Sequence, residues 1–147
     1  MWNKIIIGIT YMRDFLEVQD IIKTTFESDS LVNMVTTNAS DVNMKHTSYW
    51  CIVYEANNRT QYEEYSIYNY NIYAINKHID TPINTTDENY SLGMLIIQNF
   101  INNISEIYGI DTQLPLTYNF SNVKFADICD VVSCTINLVI MNETDCN

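Results

Sequence analysis

The residues most able to support catalysis are two histidines. His46 and His78 are the only ones in the chain, and each lies in or beside a polar loop. A general base needs a partner within hydrogen-bond reach, and neither histidine belongs to a patterned cluster. With three glycines in all, the chain has no G-x-S-x-G, P-loop or dinucleotide motif. The sequence therefore predicts two solvated histidines and no enzyme activity.

Two groups of neighbouring carboxylates, Glu63/Glu64 and Asp127/Asp130, have the residue type for acid and base chemistry. No histidine or nucleophile accompanies either group in sequence. Adjacent carboxylates in an acidic chain are typical of a solvated face. The sequence therefore predicts no catalytic residue and no cofactor.

The four cysteines do not form a metal motif. Cys51, Cys129, Cys134 and Cys146 lack a C-x-x-C spacing and a nearby histidine pair, which argues against zinc. Four cysteines allow three disulfide connectivities, but nothing in the sequence indicates an oxidising compartment. Cys51 and Cys134 lie in alternating runs, where a free cysteine behaves as a small buried hydrophobe. Reduced structural thiols are the expectation.

Composition excludes several classes of protein. The 147 residues predict one domain, 1–147. With 47% hydrophobic residues and few glycines and prolines, the chain is neither collagen-like nor disordered. Seven basic against 18 acidic residues give a net charge of −11, which excludes a general nucleic-acid binder. The 11 tyrosines then favour cross-strand packing or a protein interface over base stacking.

The first nine residues predict a strand or an N-terminal arm. Residues 5–9 form an apolar run containing Gly8, and this run is shorter than the 7 to 15 or so apolar residues of a signal peptide. No other segment approaches the roughly 20 apolar residues that span a bilayer. We therefore expect a soluble protein without a membrane partner.

Apolar periodicity predicts the elements of the N-terminal half. Helical spacing predicts a first helix over residues 11–27 with Thr10 as its N-cap. Residues 31–37 predict a strand, followed by a loop over 38–45. A mostly apolar strand over 46–55 is expected to end at a turn over 56–59 and to pair with an alternating strand over 61–75 as an antiparallel hairpin.

The C-terminal half predicts a long helix and a strand. Thr85 and Glu88 form a capping box ahead of a helical pattern that reaches Tyr108, and Gly109 supplies the stop. Residues 120–130 have no assigned type, and residues 132–140 alternate as a strand with one buried face. The pattern is α-β-β-β-α-β, an α+β fold with two helices packed on a mostly antiparallel β-sheet.

Seven N-x-S/T sequons suggest an alternative class, a secreted or surface viral glycoprotein that acts in host interaction. Composition alone predicts about three such matches, and no signal peptide is recognised. The sequons begin at Asn38, Asn58, Asn84, Asn89, Asn103, Asn119 and Asn142.

Several segments together resemble a known family. The run SDSLVNMVTT at 28–37 is similar to an LVNxVTTG-like strand that follows a helix in small tail-completion or neck proteins of tailed phages of Bacteroidetes hosts, crAss-like phages included. The fold order is tail-completion-like over residues 10–147. Asn38 stands where the family pattern has Gly, and Val131-Val132 replace an expected Gly-Trp. The other similar segments are residues 41–43, 49–54, 92–108, 120–127 and 134–141, and Cys146.

The resemblance implies a structural virion protein, made in the host cytoplasm, that forms a homo-oligomeric ring of about twelve copies at the head–tail junction. Such a ring joins a portal or adaptor to the tail, contacts other neck proteins and lines the passage for DNA without binding it. An acidic lumen suits this role because like charge gives no attractive phosphate contact. The candidate residues for the lumen or for an axial contact are Glu63, Glu64, Asp87 and Glu88.

Overall fold

An α+β architecture forms over the residues that the structure, a computed structural model, describes: 14–42, 50–78, 85–125 and 127–142. Two helices and six strands lie within these ranges, with one short 3₁₀ turn after the first strand. The elements in chain order are α1 Phe15–Glu27, β1 Val32–Thr36, the 3₁₀ turn Ala39–Asp41, β2 Trp50–Gln61, β3 Tyr65–Lys77, α2 Thr85–Tyr108, β4 Asp111–Thr112, β5 Tyr118–Phe125 and β6 Asp127–Met141.

The six strands form one sheet that is mostly antiparallel, as predicted, although the predicted order of four strands lacked β4 and β5. The strand order is β1-β2-β3-β6-β4, and β5 pairs with the other half of the same β6 edge. Only β1 and β2 run parallel. The long antiparallel pair of β3 and β6 runs from Tyr65 opposite Met141 to Lys77 opposite Cys129.

Both helices cover one face of the sheet, called the inner face below. Val18, Ile22 and Phe26 recur every fourth residue on α1 and are buried, because this spacing puts them on one side of a helix. Phe26 stacks on Phe100 of α2 at 4.0 Å between ring centroids. The opposing sheet residues are those that the alternation predicted: Tyr68, Tyr70, Ile72 and Ala74 of β3, and Val132, Cys134, Ile136, Leu138 and Ile140 of β6.

One glycine lets α2 approach the sheet closely. A Cβ atom at Gly93 would lie 2.6 Å from a methyl carbon of Val132 and 3.3 Å from the ring of Trp50. Gly109 has φ of 67° and ends α2 in the left-handed region, as predicted for a helix stop.

The predicted turn over residues 56–59 was wrong. These residues continue β2 to Gln61, and a β-bulge between Ala56 and Asn58 absorbs one extra residue. The turn lies at residues 62–64, where the Tyr62 amide donates to the Tyr65 carbonyl. Pairing with β3 supplies hydrogen bonds that outweigh the local turn preference of Asn57 and Asn58.

Other boundaries also differ from the predictions. Asp14 caps α1 by accepting a hydrogen bond from the Glu17 amide, whereas the expected cap, Thr10, lies outside the described residues. The segment of unassigned type is β5 and the beginning of β6. The predicted arm at residues 1–9 and the beginning of the predicted strand at 46–49 also lie outside the described residues.

The three described cysteines, Cys51, Cys129 and Cys134, are buried, as was expected for Cys51 and Cys134; Cys146 lies outside the described residues. Burial, followed by the charge of Asp41, raises the pKa of the Cys51 thiol to about 11. The described helices include none that is both long and apolar enough to cross a membrane.

Candidate functional site

A buried carboxylate gathers four polar side chains at one end of the sheet. Asp130 is 0% exposed. Its Oδ2 atom lies 2.9 Å from Asn89 Nδ2 and 3.1 Å from His78 Nδ1, and its Oδ1 atom accepts from Asn122 Nδ2 and, at 3.4 Å, from Thr86 Oγ1. Two neighbours on each oxygen match the acceptor capacity of a carboxylate. We call these five residues the Asp130 cluster.

Four elements meet in the Asp130 cluster. His78 directly follows β3, Thr86 and Asn89 lie in the first turns of α2, Asn122 lies on β5, and Asp130 lies on β6. The His78 amide also donates to the Ile128 carbonyl at 2.9 Å, which holds this residue beside β6. The cluster therefore fixes the beginning of α2 against three strands.

The expectation of a solvated His78 was wrong. Its side chain is 27% exposed, and Nδ1 faces Asp130. An aspartate on Nδ1 is also how catalytic histidines are oriented, with Nε2 facing the nucleophile. Here the Thr86 hydroxyl lies 3.1 Å from the same Nδ1 atom, so Thr86 is not placed as a nucleophile on Nε2. The geometry suits a structural junction. His46 lies outside the described residues.

The sequence itself indicated that Asp130 faces inward. The alternation that identified Val132, Cys134 and Ile136 as inward residues also places Asp130 on the inner face, two positions before Val132. A charged residue at an inward position requires polar partners. Those partners come from segments distant in sequence, so the cluster itself was not predictable.

The outer face of the sheet, opposite the helices, carries a row of amide and hydroxyl groups. Asn57 donates to Asn69 at 2.7 Å, and Asn69 donates to Asn137 at 2.7 Å. Thr135 donates to Asn71 at 2.8 Å. These five residues of β2, β3 and β6 form what we call the neutral face. Their hydrogen bonds fix the orientation of the side chains.

Beside the neutral face, β2 has an open edge. Within the described residues, β1 pairs with β2 only as far as Val53, and the edge from Tyr54 to Gln61 has no neighbouring strand. Residues 55–61 are all exposed. An open edge presents unpaired amides and carbonyls to another strand.

The structure does not bring together the four acidic residues predicted for a lumen or axial contact. Glu63 and Glu64 lie in the turn after β2, whereas Asp87 and Glu88 lie in the first turn of α2 rather than in a loop before it. The two pairs flank opposite ends of β3, about 40 Å apart at 3.3 Å per residue. All four are exposed, so each pair forms its own acidic patch.

The sequons differ in their environments. Asn89 is 8% exposed, and its amide donates to Asp130. The Asn142 amide donates to two carbonyls of the β2–β3 turn. A glycan on either residue would break these contacts. Asn38, Asn58 and Asn119 are exposed.

No protein-family model and no curated protein matches this chain. Among the described residues, no group of three or more histidine, cysteine or acidic side chains is arranged to hold a metal ion.

Proposed function

We propose that this protein is a structural virion protein that forms an oligomeric ring at the head–tail junction of a tailed phage. The ring would link the portal or adaptor to the tail and line the DNA passage. The resemblance of residues 28–37 and the segments after them to neck proteins suggests this role. The observation that carries it is the neutral face.

The five uncharged residues of the neutral face, bordered by Glu55 opposite Asn71, favour a protein interface on a chain of net charge −11. Charged residues are depleted in the centre of interfaces, because their desolvation is costly when they are not paired. On the neutral face the amide and hydroxyl side chains already satisfy one another across three strands. A neighbour that covers them therefore meets little unpaired polar surface.

Acidic side chains on other surfaces support the part of the proposal in which the ring lines the DNA passage. Exposed carboxylates lie along α1, at the β2–β3 turn and at the beginning of α2, as in Asp20, Glu63 and Glu88. A ring with these surfaces toward its axis would not attract DNA phosphates. The proposal gives no residue a catalytic role.

The test places a positive charge on the neutral face. Thr135 is exposed on β6, so Thr135→Arg adds a charge there and removes one hydrogen bond to Asn71. Gln98→Arg adds the same charge on the exposed side of α2 and serves as the matched control. Mass photometry and negative-stain images of purified protein measure the oligomer.

We expect rings of about twelve copies for the unmodified chain and for Gln98→Arg, and smaller species for Thr135→Arg. Circular dichroism spectra should match among all three proteins. A stable monomer for the unmodified chain, in the presence of neck proteins as well as alone, would overturn the proposal. Rings of unchanged size with Thr135→Arg would overturn the assignment of the neutral face.

The second candidate is a secreted or surface viral glycoprotein, which the exposed sequons at Asn38, Asn58 and Asn119 favour. Asn58 and Asn119 lie on the outer side of the sheet, so glycans there would compete with a ring interface. Intact mass measurement of native material separates the two candidates. Occupied glycans would exclude the phage proposal.

A further inference from the structure

A groove indents the outer side of the sheet between the 3₁₀ turn and the strands. Its volume is about 300 Å³, at the small end of ligand pockets and suited to one side chain. The floor is formed by the apolar side chains of Val53, Ile75 and Val131, all of which are buried. An incoming group must therefore have an apolar stem.

The rim of the groove carries a carboxylate beside an aromatic ring. Glu55 is exposed on β2, and it lines the groove together with Tyr73 of β3. Burial, followed by the charge of Glu55, raises the pKa of Tyr73, so this hydroxyl keeps its proton. Ser121 and Ser133 complete the polar part of the rim. The carboxylate has lone pairs for a donor from outside.

We infer that this groove receives the side chain of a basic residue, arginine before lysine, from a different protein of the assembly. The aliphatic stem would lie on the apolar floor, and the cationic head would bind Glu55. Arginine is preferred because its planar guanidinium can both bind a carboxylate through two hydrogen bonds and stack on Tyr73. The inference rests on the proposed function in taking the outer side of the sheet to be a protein interface.

The charge of Glu55 excludes other kinds of side chain as occupants of the groove. An apolar side chain would cover Glu55 without replacing the water that solvates it, which is unfavourable. An acidic side chain would be repelled by it. A second copy of this chain is a poor source of the cation, because the sequence has seven basic residues against 18 acidic ones.

The experiment titrates isotopically labelled protein with N-acetyl-arginine-N-methylamide and follows backbone amide shifts by NMR. The matched probe is the norleucine analogue, which has a similar stem and no charge. The matched variants are Glu55→Gln, in the groove, and Glu63→Gln, in the distant β2–β3 turn. The spectra also report whether each variant is folded.

We expect millimolar binding of the arginine probe, with shifts confined to residues near 53–55, 73–75, 121 and 131–133. Glu55→Gln should weaken this binding about tenfold, as loss of a charge-assisted hydrogen bond does, and Glu63→Gln should leave it unchanged. Equal binding of the norleucine probe, shifts elsewhere, an unaffected Glu55→Gln or no binding would each overturn the inference.

Ring assembly separates this inference from the proposed function. If the arginine comes from another protein, Glu55→Gln should form the same homo-oligomer as the unmodified chain in mass photometry. Loss of arginine binding in the groove would then leave the ring intact. Loss of the homo-oligomer in Glu55→Gln would overturn the assignment to a different protein.

Discussion

Replacing Asp130 with asparagine should destabilise the fold more than any other loss of a single charge among the described residues. The substitution keeps the shape of the side chain but turns one of its two acceptor atoms into a donor. His78 and Asn89 face one oxygen, and Thr86 and Asn122 face the other. An amide in this position can accept from only one of these two sides.

The expected loss of stability follows from the number of hydrogen bonds that the asparagine cannot accept. At least one buried donor, such as the Asn89 amide, loses its acceptor, which costs about 1–3 kcal/mol. The contacts that survive change from charge-assisted to neutral hydrogen bonds and weaken by about 1 kcal/mol each. His78 offsets part of this loss, because a bare Nδ1 can accept from the new amide. We expect a net loss of about 3 kcal/mol in the free energy of unfolding.

Urea unfolding followed by the fluorescence of the buried Trp50 measures this loss. With a slope of about 2 kcal/mol per molar urea, the midpoint should fall by about 1.5 M. Asp20→Asn, an exposed position on α1, is the matched control and should stay within about 0.5 kcal/mol of the unmodified chain. If Asp130→Asn does not fold, Thr86→Val removes one donor and should cost about 1 kcal/mol. A shift no larger than that of Asp20→Asn would refute the role given to the Asp130 cluster.

Stability should fall as the pH rises above about 9 toward 11. The pKa of Cys51 and that of Tyr70 are raised, so the folded state keeps both protons while the unfolded chain releases them. Urea midpoints that do not change with pH over this range would contradict the prediction. Gly93→Ala should cost about 1–2 kcal/mol despite the better helix propensity of alanine, because its Cβ atom would contact Val132, and an unchanged melting temperature would contradict this packing. Gly109→Ala should cost about 1 kcal/mol through its positive φ, because the added Cβ would crowd its own backbone without touching other parts of the chain, and a calorimetric scan measures the loss.

The predictability of the elements depended on how local their signals are. The second helix was predicted to its last residue, because its apolar spacing and the Gly109 stop lie within or directly after its own segment. Thr85, which was predicted as the N-cap, is the first residue of the helix. The continuation of β2 past Ala56 was not predicted, because Asn57 and Asn58 favour a turn unless β3 is there to pair with them.

The predictability of the polar sites also depended on whether the signal lies within one segment. The outward position of Asn69 and Asn71 followed from alternation alone. That Asn57 and Asn137 would lie beside them depended on the strand order, which the sequence left open. The separation of the two acidic pairs likewise depended on the length of β3 and on where α2 begins.

By itself, the sequence determined the fold class, the second helix, the buried faces of β3 and β6 and the acidic charge, since composition and periodicity act within one segment. Only the tertiary structure decided that Asp130 is satisfied by His78, Thr86, Asn89 and Asn122, and that Glu55 and Tyr73 share the rim of a groove. These side chains come from strands and a helix that are far apart along the chain. The register and order in which those elements pack determine which polar groups meet, and no local pattern encodes that register.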